Sequence, residues 1–183
     1  AAVTAAVGLG AIGLAPLASA DNGVYPKRVV IGTTTPLSGP ASAGYMYIPQ
    51  AAAAYFAYLN KSGGVNGRTV DFKIKDDKYS PALTGPATSE LLLNDQAFAI
   101  FGALGTDTHN TVVDVLNKQK VPDLFPNTGS PSFANVGKYP YTIPYLPSYT
   151  VEAKAMAKYI QDTAALSGMK RCFFYQDGEF GAG

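Results

Sequence analysis

The sequence predicts an α/β protein built on a doubly wound, Rossmann-like parallel sheet. Short apolar segments alternate with segments whose apolar residues recur at helical spacing, which is typical of right-handed βαβ units. Residues 29–31, 97–101 and 172–175 are apolar throughout, as strands buried on both faces of a parallel sheet should be. The 19 glycines and 13 prolines supply the many turns that such short elements need.

The first half of the chain is predicted to contain two strands, each followed by a helix. Residues 29–32 form an apolar run, and residues 70–75 alternate apolar and polar side chains, as a strand with one more exposed face does. Helical spacing predicts one helix before residue 62, where Ser62-Gly63-Gly64 should stop it, and one after residue 80. The residues that set this spacing are Ile48, Ala51, Ala52, Tyr55, Phe56 and Leu59 in the first helix and Leu83, Ala87 and Leu91 in the second.

The second half continues the alternation. Residues 97–101 and 121–125 are predicted strands, with Pro122 near the start of the second, and residues 141–145 are extended between prolines. The run 172–175 is predicted as a last strand, in which Cys172 should be an inert buried thiol. Two more helices are set by Val112, Val113 and Leu116 and by Glu152, Ala155, Met156, Tyr159 and Ile160.

Composition argues against several classes of function. The formal net charge is +1 and Lys and Arg form no block, so nucleic acid and anionic membranes are poor candidates for partners. One cysteine, Cys172, and one histidine, His109, exclude an internal disulfide and give little support to a metal site. The chain has no G-x-G-x-x-G, P-loop or G-x-S-x-G motif, so we expect neither an enzyme nor a cofactor.

The first twenty residues predict export. They are uncharged, mostly Ala, Gly, Val, Leu and Ile, and end in the A-x-A pattern Ala18-Ser19-Ala20 that signal peptidase accepts. We interpret residues 1–20 as the remnant of a signal peptide whose charged start is missing, and residues 21–27 as a linker; the alternative is a buried Ala-rich helix. The mature protein should be soluble, periplasmic or extracellular, and not itself inserted in a membrane.

Six local strings, in order and at fitting spacing from about Arg28 to Gly183, resemble one family. They are Pro36-Leu37-Ser38-Gly39-Pro40 after Ile31-Gly32, Asn60-Lys61-Ser62-Gly63-Gly64-Val65-Asn66-Gly67-Arg68, Lys75-Asp76-Asp77 with Pro81, Phe101-Gly102-Ala103-Leu104-Gly105-Thr106, Val121-Pro122 with Pro126-Asn127-Thr128-Gly129-Ser130, and Tyr175-Gln176-Asp177 with Phe180-Gly181. The family is the type I periplasmic binding proteins that include the leucine/isoleucine/valine-binding proteins of ABC transporters.

The resemblance implies an architecture and a function. Members have two similar α/β lobes that close over a solute and present it to a membrane permease. Residues 28–145 would be the first lobe, and residues 146–183 a crossing segment and the start of a second, truncated lobe, with 143–147 as a crossing strand. The chain would then be an N-terminal fragment of a protein that captures a small solute, such as an amino acid or a related carboxylate or amide, for an ABC permease.

The carboxyl ends of parallel strands are where ligands bind in such sheets. The turn that begins at Gly105 should open a helix whose N-terminus suits a carboxylate, and the resemblance implies that the Thr106 hydroxyl contacts it. The alternative is that Thr106 or Asp107 merely caps that helix, which we favour for Asp107 because its charge would oppose an anion. The assignment requires that Gly105–Thr108 face an open groove.

The loop after the fourth strand should add contacts. The resemblance implies that the Asn127 carbonyl accepts from a solute amine and that a hydroxyl residue stands where this chain has Gly129. This departure leaves Thr128 or Ser130 to substitute, or a solute that is not a standard amino acid. The alternative for the whole stretch is an ordinary turn.

Two aromatic residues complete the expected site. The resemblance places Phe180 over the solute from the second lobe, with core packing as its alternative, and Tyr45 is a candidate wall of the pocket. For Asp76 and Asp77, solvation or capping is favoured over paired-acid chemistry. His109 is expected to be a surface or packed residue.

Two other classes of function stay open. A receptor or sensor ectodomain of the same fold would differ by a signalling or transmembrane segment downstream. A sugar-responsive repressor would need an N-terminal helix-turn-helix, and the export signal argues against it.

Overall fold

A computed structural model describes residues 22–182. Its centre is a parallel five-stranded sheet in the order β2-β1-β3-β4-β5. The strands are β1 (Arg28–Thr35), β2 (Thr69–Asp76), β3 (Ala99–Phe101), β4 (Asp123–Leu124) and β5 (Thr142–Ile143). The predicted signal peptide, residues 1–20, lies outside the described residues.

Seven α-helices and two 3₁₀ turns accompany the sheet among residues 22–182. The helices are α1 (Ser42–Tyr45), α2 (Tyr47–Lys61), α3 (Pro81–Leu93), α4 (Thr106–Asn110), α5 (Val113–Lys118), α6 (Tyr149–Asp162) and α7 (Glu179–Ala182), and the 3₁₀ turns are Pro131–Ala134 and Ala164–Leu166. Helices α2, α3 and α6 contain the residues whose spacing predicts them.

Helices α2 and α3 cover opposite faces of the sheet, which confirms the doubly wound prediction. Neighbouring residues of a strand point to opposite faces. A Cβ built on Gly32 would lie 2.8 Å from the Leu91 side chain of α3. The next residue, Thr33, instead lines a hollow together with Ile48 and Ala52 of α2.

The main core lies on the α3 side of the sheet, where α3 and α5 pack against β1 and β3. Burial of aliphatic side chains there supplies the main driving force for folding this part of the chain. The cluster consists of Val30, Leu91, Leu92, Ala97, Ile100, Ala103, Val112 and Leu116.

The third predicted helix is in fact two, α4 and α5. The Thr111 hydroxyl donates to the Thr108 carbonyl at 2.6 Å, and the Thr111 backbone N–H also turns back to that carbonyl. A hydroxyl that bonds the local backbone offers the chain an alternative to the helical ladder. The break explains why Val112 and Leu116 reach the main core while α4 turns toward the sheet edge.

The prediction of a strand at 172–175 is wrong, and so is the prediction that Cys172 is buried. Residues 169–176 form no regular element, Phe173 and Phe174 are almost fully exposed, and Cys172 is an exposed free thiol. A strand exists only where its backbone groups find partners. No strand among residues 22–182 pairs with this run, so its apolar composition alone does not fix it.

The segment 141–145 pairs with the sheet over two residues. Thr142 and Ile143 form β5, which is parallel to β4 at the edge of the sheet. The proposed crossing role of 143–147 therefore begins from a residue that belongs to the first sheet.

Candidate functional site at the carboxyl edge of the sheet

The loops after β3 and β4 are joined by their backbones. The Asn127 N–H donates to the Ala103 carbonyl at 2.8 Å, and the Gly105 N–H donates to the Asn127 carbonyl at 3.3 Å. Leu104 and Asn127 form an isolated parallel bridge. These bonds extend the parallel pairing of β3 and β4 beyond the sheet, and they place Gly105 and Asn127 side by side.

Three hydroxyl groups from three segments form a chain next to this bridge. The Thr106 Oγ1 lies 2.7 Å from the Thr128 Oγ1, which lies 3.2 Å from the Tyr149 hydroxyl. The Ser130 N–H donates to the same Thr128 oxygen at 3.1 Å. The structure thus brings together Thr106 and Thr128, two of the predicted residues, and adds Tyr149, which the sequence analysis does not name.

The turn at Gly105–Thr108 does not face an open groove, so that expectation is wrong. Thr106 is 1% exposed and Thr128 is 2% exposed. A Cβ built on Gly105, whose φ is +105°, would lie 2.5 Å from the Tyr79 ring and from the Thr108 hydroxyl. The chain itself, through Tyr79 and Tyr149, covers the place where the sequence predicts a bound anion.

The helix-dipole argument for this turn is weak in the structure. Helix α4 has only five residues, and its N-cap is Gly105 without any side-chain capping bond. Neither Thr106 nor Asp107 caps it, so the capping alternative is wrong for both residues. The dipole of a helix this short is small, and the field of its N-terminus falls off within one turn.

Asp107 instead binds the segment near the end of the described chain. Its Oδ1 accepts from the Glu179 N–H at 2.7 Å, and its Oδ2 accepts from the Gln176 Nε2 at 3.1 Å. A Cβ on Gly178 would lie 2.9 Å from the carboxylate, so a residue without a side chain permits this approach. Asp107 therefore caps α7 across 72 positions of sequence.

Gly129 lies against Tyr149. The Tyr149 N–H donates to the Gly129 carbonyl at 2.8 Å. A Cβ on Gly129 would lie 2.6 Å from the Tyr149 ring and 2.7 Å from the Pro147 carbonyl oxygen. The space that a side chain at position 129 would take is filled by the tyrosine, while Ser130 only caps the following 3₁₀ turn.

Phe180 and Tyr45 lie at the exposed side of this cluster. The Phe180 ring packs edge-on against Tyr149 at 5.6 Å between centroids and is 42% exposed. Tyr45 is 40% exposed. Burial raises the pKa of the Tyr79 phenol, and the Asp107 carboxylate and the Tyr45 hydroxyl raise it further. Core packing is not the role of Phe180 among the described residues.

The remaining polar candidates are structural. The Asp76 carboxylate accepts from the Leu37 and Lys78 N–H groups at 2.9 Å each. It satisfies backbone donors of two loops, which agrees with the predicted capping role. Asp77 accepts from the Tyr79 N–H and the Thr84 hydroxyl at 3.0 Å each, and burial raises its pKa. His109 is packed rather than exposed, with its Nε2 at 2.8 Å from Asp123.

An open hollow of about 320 Å³ lies at the carboxyl edge of the sheet, on the side that α2 covers. Its lining is almost wholly apolar. Its walls are Ile48, Phe101, Gly102, Phe125, Asn127 and Tyr145.

Residues 22–182 contain no helix that is long and apolar enough to cross a bilayer. Within the same residues, no three or more His, Cys, Asp or Glu side chains are grouped so that they could hold a metal ion.

Comparison with known proteins gives a consistent result. A family model described as "Periplasmic binding protein" matches residues 28–183. A substrate-binding protein of a chemotactic signal transduction system, BasB of Halobacterium salinarum, is 28% identical over 165 residues, which are 85% of this chain and 39% of that protein.

Two solved structures extend the likeness to the fold. A possible leucine/isoleucine/valine-binding protein from Rhodopirellula baltica SH 1 has a TM-score of 0.66 at 26% identity, over 78% of this chain and 37% of that chain. A fatty acid ABC transporter substrate-binding protein from Thermomonospora curvata has a TM-score of 0.66 at 26% identity, over 76% and 34%. This chain therefore spans well under half the length of these relatives.

Proposed function

This chain belongs to the periplasmic binding protein family, and from that premise we propose that the whole protein captures a small solute outside the cytoplasm and delivers it to an ABC importer. The observation that carries the proposal is the family match over residues 28–183, on a doubly wound parallel sheet as predicted. That sheet corresponds to the first lobe of the two-lobed type I fold, and we infer that the residues from 146 onward are a crossing segment and the start of the second lobe.

The site supports binding rather than chemistry. Thr106, Thr128 and Tyr149 are neutral hydroxyl groups that can donate or accept hydrogen bonds, and Gly105 and Asn127 bring backbone groups beside them. The proposed mechanism is closure of two lobes around the solute, which removes water and strengthens each hydrogen bond. Energy for transport would come from ATPase subunits of the importer.

Access requires movement, because Thr106 and Thr128 are buried in the described residues. The part that must move is the segment from Gln176 to Glu179, which Asp107 holds. We propose that its release from residues 28–145 opens the loops that carry Gly105, Thr106, Asn127, Thr128 and Gly129 to a solute, with Phe180 and Tyr45 as walls of the space; the two threonines then act through the hydrogen-bonded chain that ends at Tyr149.

The proposed solute is an amino acid or a related small carboxylate or amide. Two relatives are named for leucine, isoleucine and valine and for a fatty acid. These compounds share a carboxylate on an aliphatic chain. The hydroxyl groups could serve the carboxylate, and the apolar hollow of about 320 Å³, which Asn127 also lines, could take the aliphatic part of such a solute.

A second candidate is a solute receptor that reports to a signalling system. It is favoured by the relative from a chemotactic signal transduction system. The solute site would be the same, and the partner would be a membrane sensor in place of a permease.

The test uses the full-length protein and a panel of L-leucine, L-isoleucine, L-valine, L-phenylalanine, decanoate and urea. A solute at a hundredfold excess over its Kd should stabilise the protein by about 2.7 kcal/mol. If no member of this panel, nor of a broad metabolite set, raises the melting temperature, solute capture is wrong. Uptake of the binding solute in cells that lack the gene separates the two candidates, because only an importer component is needed for uptake.

A further inference from the structure

We propose that Tyr149 presents the solute-facing hydroxyl of this site and that it donates its proton to a carboxylate or carbonyl oxygen, while Thr106 and Thr128 stand behind it. This inference rests on the proposed function, because it adds a residue to the same site. The physical basis is the direction in which the protons of the three-hydroxyl chain, Thr106–Thr128–Tyr149, must point.

The protons of the chain have one favourable arrangement. The Thr128 oxygen already accepts from the Ser130 N–H at 3.1 Å, so it has one lone pair and one proton left for its two hydroxyl neighbours. One neighbour must donate to it and the other must accept from it. If Tyr149 donated, the Thr106 proton would need another acceptor.

Thr106 has no other acceptor. It is 1% exposed, and the hydrogen bonds of the described residues give its hydroxyl no partner besides Thr128. A buried donor without an acceptor is unfavourable by the full desolvation penalty of that group. Thr106 therefore donates to Thr128, Thr128 donates to Tyr149, and the Tyr149 proton stays free for an outside acceptor.

Tyr149 is also the member of the chain that borders open space. It is partly exposed and lines an open hollow together with Gln176 and Phe180, whereas both threonines are buried. Its ring is held in place by the bare Gly129, where a Cβ would approach it to 2.6 Å, and by the edge-on contact with Phe180. Gly129 and Tyr149 therefore depend on each other, because the missing side chain at 129 leaves the room that the tyrosine ring fills.

A chain of this polarity selects for an oxygen acceptor. Each hydroxyl strengthens the next as a donor, because hydrogen bonds in series polarise one another. A carboxylate or amide oxygen satisfies the free proton, whereas an ammonium group, which only donates, does not. We therefore expect the bound solute to place a carboxylate or carbonyl oxygen on Tyr149.

The experiment measures Kd by calorimetry with the full-length protein and the panel member that gives the largest melting shift. Tyr149→Phe keeps the ring and removes the proton, so Kd should rise about fivefold to tenfold, the effect of one neutral hydrogen bond. Tyr159→Phe, on the same helix and 66% exposed, is the matched control and should leave Kd within twofold. Melting temperatures of both variants without solute check that they are folded.

Gly129→Ala supplies the second variant. Its methyl group should displace the Tyr149 ring and raise Kd at least as much as Tyr149→Phe, and it should add less in a Tyr149→Ala background, where only its contact with the Pro147 carbonyl remains. A Kd of Tyr149→Phe within twofold of wild type, or below it, overturns the proposal, since a lower Kd would mean that the tyrosine competes with the solute. Additive losses at 129 and 149 would also overturn it. If the wild-type protein binds no solute, the proposed function itself fails.

Discussion

Two regions of this chain carry helices of similar length that differ in how many residues they bury. Helix α3, in residues 28–147, buries Thr84, Thr88, Leu91 and Leu92 against the sheet. Helix α6, in residues 148–182, buries no residue, and its Val151, Met156 and Tyr159 are more than half exposed. The difference shows that helical spacing of apolar residues predicts a helix, but that its buried face and its stability depend on what the helix packs against.

The two regions also differ in how deeply they bury a contact between a basic side chain and an aspartate. His109 and Asp123 are each 1% exposed, whereas Lys158 and Asp162 of α6 are 73% and 60% exposed. The Asp123 Oδ2 also accepts from the Thr142 hydroxyl at 2.8 Å, so this pair ties α4 to β4 and β5. The His109–Asp123 contact is therefore buried and joins three elements, whereas the Lys158–Asp162 contact lies in solvent and should contribute little to stability.

The largest expected effect comes from a substitution that breaks the buried His109–Asp123 contact. His109→Ala leaves the Asp123 carboxylate buried with only the Thr142 donor, which should lower the free energy of unfolding by about 3–5 kcal/mol. Lys158→Ala removes one half of an exposed pair at i,i+4 spacing and should change it by only about 0.3–0.5 kcal/mol. Urea denaturation measures both, and equal effects of the two substitutions would contradict the comparison.

The next effect concerns apolar packing. Leu91 is 0% exposed and Met156 is 60% exposed. Leu91→Ala should destabilise the chain by about 2–5 kcal/mol, because it removes buried methyl groups and leaves a cavity beside Gly32. Met156→Ala should stay within about 0.5 kcal/mol, as is usual for exposed positions. Thermal and urea unfolding of both variants test this, and a loss at Met156 above 1.5 kcal/mol would show that α6 is packed.

A smaller effect depends on pH. Burial raises the pKa of the Asp77 carboxyl above its ordinary value of 3.8. The folded state then holds this proton more tightly than the unfolded state, so the contribution of Asp77 to stability is full below pH 3.8 and is lost as pH rises through the raised pKa.

Asp77→Asn removes this titration. The stability of the variant relative to wild type should therefore increase as pH is raised from about 4 to 7. Urea titrations of the wild type and the variant at several pH values measure this difference, and a difference that falls with rising pH would contradict the assignment.

The last prediction concerns the chemical reactivity of Cys172, not the free energy of unfolding, and it tests whether residues 172–175 are packed. Cys172 is the chain's only cysteine and is exposed. In the folded protein it should react with a thiol reagent nearly as fast as in denaturant. Protection by more than tenfold would mean that residues 172–175 pair or pack after all.

Much of the fold followed from sequence pattern, and the failures share a cause. Periodicity located α2, α3, α6 and the first two strands, because each long element repeats its own signal. It failed at 172–175, where an apolar run has no pairing partner among the described residues, and at 106–118, where Thr111 divides one predicted helix into two.

The candidate site was predictable only in part. Thr106 and Thr128 stand in loops that follow neighbouring parallel strands, so their meeting could be expected from sequence. Tyr149 could not, because it reaches them from the first residue of α6, 21 positions beyond Thr128, and no local motif marks that approach. Ser148-Tyr149 after Pro147 indicates only a helix start. Tyr79 was missed for the same reason.

The order of apolar and polar residues by itself determined the alternating elements, the parallel sheet and the two threonine-bearing loops, because periods of two and of about 3.6 residues are local properties of the chain. Only the tertiary structure decided what covers those threonines, that Asp107 caps a distant helix, that α6 buries no residue, and that residues 172–175 pair with no strand among residues 22–182. These features are contacts between distant segments, and burial and hydrogen-bond satisfaction depend on which segments meet.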